Sequence, residues 1–102
     1  MAGIIKLVRD FVLDHMRHDG KEPDFHVADE QEFKLALDAK LREECEEAIA
    51  APHDPGELAD VLEVIYTRAR LIGITPEALE VLRLKKRFNK GGFEQRYIVK
   101  FP

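Results

Sequence analysis

Two apolar stripes at helical spacing, parted by a proline break, constrain this chain more than any other feature. Phe33, Leu37, Leu41, Cys45, Ala48 and Ile49 recur every three or four residues, and so do Leu58, Val61, Leu62, Ile65, Ala69 and Ile72. A 3.6-residue period puts each set on one helix face. Pro52-His53-Asp54 stands between them and breaks the first helix near Ala50. So short a connection makes the two helices antiparallel neighbours. Their starts are marked as well. Asp29 precedes Glu32 by three residues, a capping-box pattern. Asp54, followed by Pro55 and Glu57, sets Asp at the N-cap, Pro at the first helical position and Glu at the third.

The rest of the chain reads around this hairpin. Val12, Leu13 and Met16 predict a helix over residues 9–18, closed by Asp19-Gly20. The stretch KEPDFHV is expected to be extended, because Pro23 disfavours helix in its predecessor. Thr75-Pro76 opens a fourth helix running to about Phe88, and Asn89-Lys90-Gly91-Gly92 ends it. IIKLV at 4–8 fits either a strand or the start of a helix. FEQRYIVKF near the C-terminus alternates like an edge strand and could pair with IIKLV or DFHV. The expected fold is mainly α: a helical-hairpin bundle of about four helices with a small terminal β element. With 102 residues and no repeat or linker, residues 1–102 read as a single domain. Ala36, Val64 and Tyr66 lie off the main stripes, so the hairpin carries a second apolar face. A second subunit is expected to cover it, completing a four-helix core in a homodimer or tetramer.

Composition narrows the partners. The hydrophobic fraction of 45% is that of a globular protein. A net charge of −4 argues against nucleic acid as a partner, and no apolar run approaches a membrane span. Lys6, Arg9 and Asp10 interrupt the first apolar run, so it does not read as a signal peptide. Cys45 is the only cysteine, which excludes an intrachain disulfide and fits a cytoplasmic setting. Flanked by glutamates beside the apolar stripe, it reads as an inert thiol. His15 and His18 lack a third ligand in sequence reach, so zinc is not expected.

Charge is unevenly distributed. Glu44 and Glu47 sit three residues apart on the first hairpin helix, and Glu57 and Asp60 three apart on the second. Glu47 and Glu57 are equally far from the turn, as are Glu44 and Asp60. Antiparallel packing would set the four carboxylates in two facing rungs, which repel each other unless a cation neutralises them. Hard oxygen ligands suit Mg²⁺ or Mn²⁺. Glu44 also falls between Phe33 and Leu37 at the edge of the core stripe, where a bare carboxylate is costly. The plainer alternative is a solvated acidic face, to which Glu43, Glu46 and Glu63 are assigned. Residues 83–90, RLKKRFNK, are strongly basic. Cations there offset the helix dipole, or hold phosphate.

KLREECEEAIA followed by GELADVLEVI resembles the all-α nucleoside triphosphate pyrophosphohydrolases, the MazG-like and phosphoribosyl-ATP pyrophosphohydrolase-like proteins. KLVRD near the N-terminus and KKRFNKGGFEQR near the C-terminus resemble a small branch of that group. The hairpin connection is short for the family, and Phe11-Val12-Leu13 replaces a Lys-Ile-Pro-like run. The resemblance implies Glu44, Glu47, Glu57 and Asp60 as metal ligands, and Lys85, Arg87 and Lys90 as phosphate contacts. It implies Mg²⁺-dependent hydrolysis of a nucleotide between the α and β phosphates, giving a monophosphate and pyrophosphate. Either Glu44 or Glu47 could activate the attacking water. The rival reading is a non-catalytic helical dimerisation module with an acidic surface.

Overall fold

The structure, a computed structural model, describes residue 3 and residues 5–102. Four helices follow in order: α1 (Val12–His18), α2 (Glu30–Ala50), α3 (Pro55–Leu71) and α4 (Pro76–Lys90). The chain is mainly helical, as the stripes imply. It divides into two compact units, Met1–Ile65 and Tyr66–Pro102, with the boundary inside α3.

The helix starts follow local capping chemistry. Asp29 accepts the Glu32 backbone N–H at 2.8 Å, and Thr75 accepts that of Ala78 at 3.1 Å. The Asp54 carboxylate accepts the Gly56 N–H at 2.8 Å, so Pro55 enters at the first position of α3 without a lost donor. The Glu32 carboxylate turns to His26 Nε2 at 2.8 Å. Gly73 ends α3 at φ +78, where the Ile74 N–H reaches back to the Ala69 carbonyl at 2.9 Å.

In the first unit, α2 and the start of α3 face each other through one row apiece. On α2 the row is Leu37, Leu41, Glu44 and Ala48, with Leu37 and Glu44 buried. On α3 it is Glu57, Asp60, Val61 and Val64, with Val64 buried. Each row is apolar at one end and acidic at the other. This corrects the stripe read for α3, because Leu58 and Leu62 are 65% and 43% exposed. Periodicity finds apolar faces but does not say which one a chain covers by itself.

The second unit holds the end of α3, α4 and the tail. Ala69 is buried there, and every residue from 80 to 102 is exposed, including Phe88, Phe93 and Phe101. The expected terminal β element is not formed: no strand occurs among the described residues. Ile4, part of IIKLV, lies outside them, and residues 5–8 have no regular structure. The tail is open, with Ile98 96% exposed. A strand needs a partner for its backbone N–H and C=O groups, and alternation alone supplies none.

Candidate metal centre

Helix geometry brings the acidic residues together. Glu44, Glu57 and Asp60 each place a carboxylate oxygen within 4.8 Å of the others, and Glu43, Glu44 and Glu47 form a second such group sharing Glu44. Glu47 is also close enough to Glu57 for their charges to repel, which draws the second rung into the same cluster. Glu44 thus stands at the centre of all four residues singled out from the sequence, and Glu43 joins them.

Burial singles out Glu44 further. It is 7% exposed in the row that carries Leu37 and Leu41. Its Oε1 meets Lys40 Nζ at 3.3 Å, but its Oε2 is buried without a hydrogen-bond partner, as is Oε2 of Glu57. Buried carboxylate oxygens are normally paired, because desolvation without compensation is costly. Two such atoms stand on α2 and α3 within the same acidic cluster.

Among the ion pairs of the described residues, three cations border the cluster. Lys40 bridges Glu43 and Glu44, Lys6 meets Glu43 at 3.1 Å, and Arg9 meets Asp60 at 2.6 Å. Five carboxylates therefore face three cations, an excess of two negative charges. The excess shows in the acidities. The charge of Glu44, followed by desolvation, pushes the Glu47 carboxyl above its ordinary value. Desolvation, with the charge of Asp60 next, pushes Glu57 up. Glu43 goes the other way, drawn down by its hydrogen bond from Lys6.

This donor set fits a divalent cation. It is all oxygen, the preference of Mg²⁺ and Mn²⁺. Oxygens around one Mg²⁺ lie about 4 Å apart or less, so the spacing needs at most a small side-chain adjustment. One divalent charge would balance the excess. Glu46 is exposed and Glu63 stands on the exposed side of α3, apart from these groups.

The basic segment makes its own surface within the second unit. Arg83, Lys86, Arg87 and Lys90 border an open depression of about 770 Å³, with Gly91, Gly92 and Phe93 also in its lining. Arg87 and Lys90 are thus brought together, while Lys85 is exposed and outside this lining. Arg87 is held by Glu94 at 2.6 Å, and the hydrogen bond from Arg87 draws the pKa of Glu94 below its ordinary value. Gly92 passes so close beneath the pair that a Cβ there would collide with both side chains.

The sequence marks Arg9 for a salt bridge or a phosphate contact without revealing its partner, and it gives no sign of Lys6 at the acidic site. Their partners stand 37 and 51 residues away, so no local spacing could reveal them. Lys40 was legible, because it lies i,i+4 from Glu44. No protein-family model, curated protein or solved structure matches the chain.

Proposed function

We propose that this chain is a Mg²⁺-dependent nucleotide pyrophosphohydrolase, cleaving between the α and β phosphates to give a monophosphate and pyrophosphate. The observation that carries the reading is the buried, unpartnered Glu44 Oε2 at the centre of the acidic group. A solvated acidic face, as in a mere dimerisation module, has no need to bury a carboxylate oxygen without a partner.

Glu44, Glu57 and Asp60 would hold the cation, which when bound supplies charge neutralisation for phosphate and a more acidic water. Glu47 is exposed and borders both Glu44 and Glu57, so it is the carboxylate placed to accept a proton from a water at the cluster's edge. Glu44, buried and ion-paired to Lys40, serves as ligand. Lys85, Arg87 and Lys90 are assigned to stabilising charge on the leaving phosphates. The subunit acts as a homo-oligomer in the cytoplasm.

The thin core supports assembly. Its buried apolar residues among those described are Leu37, Val64 and Ala69, while Leu58 and Leu62 on α3 stay open. Among the described residues no helix is long and apolar enough to cross a membrane. A pyrophosphate-release screen over canonical, damaged and phosphoribosyl nucleotides, with Mg²⁺ and with Mn²⁺, tests the function. Pyrophosphate from at least one nucleotide, abolished by chelation, is the expected result. No release from any nucleotide with either metal would contradict it.

A further inference from the structure

Arg9 occupies an unusual place for a surface arginine. Its backbone carbonyl accepts the Val12 N–H at 3.0 Å, at the entry to α1. Three residues earlier, Lys6 reaches Glu43 on α2, while Arg9 reaches Asp60 on α3. The irregular segment from 6 to 9 therefore spans both helices at their carboxylates. Arg9 Nη2 lies 2.6 Å from Asp60 Oδ1, and the arginine side chain is 55% exposed.

That contact engages one nitrogen of the guanidinium among the described residues. Arginine carries five N–H donors in a planar fork, and the fork matches phosphate oxygens two at a time. More than half of the side chain that carries the remaining donors is open to solvent. A phosphate that shares a cation with Asp60 would come within a few ångströms of them. Lys40 cannot serve in this way, since its side chain is 15% exposed and is committed to Glu43 and Glu44. An exposed ion pair contributes little stability by itself, so holding a segment in place is a weak reason to keep an arginine there.

We propose that Arg9 is a substrate-binding residue of the acidic site, gripping a phosphate of the metal-bound phosphoanhydride with the donors that Asp60 leaves free. This rests on the reading of Glu44, Glu57 and Asp60 as metal ligands. The test measures binding by calorimetry rather than turnover. Mg²⁺ alone, and inorganic pyrophosphate in the presence of Mg²⁺, are titrated into the wild type, Arg9→Ala and Arg9→Lys.

Arg9→Ala is expected to weaken pyrophosphate about 10- to 100-fold, the loss typical of a charge-assisted hydrogen-bond pair. It should bind Mg²⁺ alone at least as tightly as the wild type, because a competing cation has gone. Arg9→Lys keeps the charge without the fork and should fall between the two, and it carries the test if Arg9→Ala does not fold. Equal pyrophosphate affinity in all three proteins overturns the proposal. So does a parallel loss of Mg²⁺ and pyrophosphate in Arg9→Ala, which is the mark of a residue that only supports the ligands. A wild type that binds Mg²⁺ and pyrophosphate but hydrolyses no nucleotide contradicts the proposed activity instead, and the Arg9 comparison still stands on binding.

Discussion

Lys40 Nζ lies 3.3 Å from Glu44 Oε1, one turn away on α2, and the other oxygen of the same carboxylate is buried without a partner. The pair is half of a neutralisation. Lys40 makes a buried glutamate tolerable, and the unpartnered oxygen is the one that the proposed metal site would use.

Removing Lys40 should therefore expose the cost of the cluster. Lys40→Met is expected to lower stability by about 3 kcal/mol in chelator, since it strands a buried carboxylate. Millimolar Mg²⁺ should recover much of that loss by binding the native state more tightly than it binds the wild type. Chemical denaturation with and without Mg²⁺ measures both effects. Unchanged stability in chelator would show that Lys40 is a surface residue only.

Adjacent glutamates on α2 should behave differently. Glu47→Gln and Asp60→Asn are expected to abolish turnover, with folding in chelator retained or improved, because each relieves repulsion in the cluster. Glu46→Gln should leave turnover near the wild-type rate, since Glu46 is exposed and lies outside both carboxylate groups. Helix geometry separates positions 46 and 47 by roughly 100°. Steady-state pyrophosphate release on the three variants decides the matter, and equal effects at 46 and 47 would remove the rung arrangement.

The exposed apolar face of α3 leads to an expectation about assembly. Light scattering at micromolar concentration should give a dimer or larger. Leu58→Gln with Leu62→Gln should shift it toward monomer, because those side chains are open in the single chain. A stable wild-type monomer would contradict a shared helical core.

Much of the helical frame was legible because its signals are local. Asp29, Asp54 and Thr75 each cap the helix that their spacing marked, and Gly73 and Gly91 stop theirs at positive φ. The hairpin's facing carboxylates follow from the same geometry. Other features depend on distant parts of the chain. Val64 is buried where the stripe favoured Leu58 and Leu62, since the choice between two apolar faces is made by packing. The tail has strand-like alternation but no strand partner among the described residues, and the Lys6 and Arg9 bridges join segments that nothing in their own neighbourhoods connects.

Acidity should also report on the cluster. Glu47 and Glu57 are raised above the ordinary carboxyl value of 4.5, so protonating them favours the folded state. In chelator, stability is expected to rise as pH falls from neutrality toward 4.5. Glu43, Glu80 and Glu94 are lowered by Lys6, Arg83 and Arg87, respectively, so their contribution is present above 4.5 and is lost as pH falls through their lowered values. The midpoint of thermal unfolding should thus peak on the mildly acidic side. Saturating Mg²⁺ should flatten the rise, since a bound cation keeps Glu47 and Glu57 ionised. A monotonic fall from pH 7 downward in chelator would count against the repulsive cluster.

The most direct measurement is a Mn²⁺ titration of the wild type and Glu44→Gln, followed by electron paramagnetic resonance of the free ion. The wild type should bind saturably and be displaced by Mg²⁺. Glu44→Gln, folded by circular dichroism, should lose at least about tenfold in affinity, as expected for an anionic ligand made neutral. Equal affinity in the two proteins, or no saturable binding in the wild type, would contradict the assignment of Glu44 as the centre of a metal site.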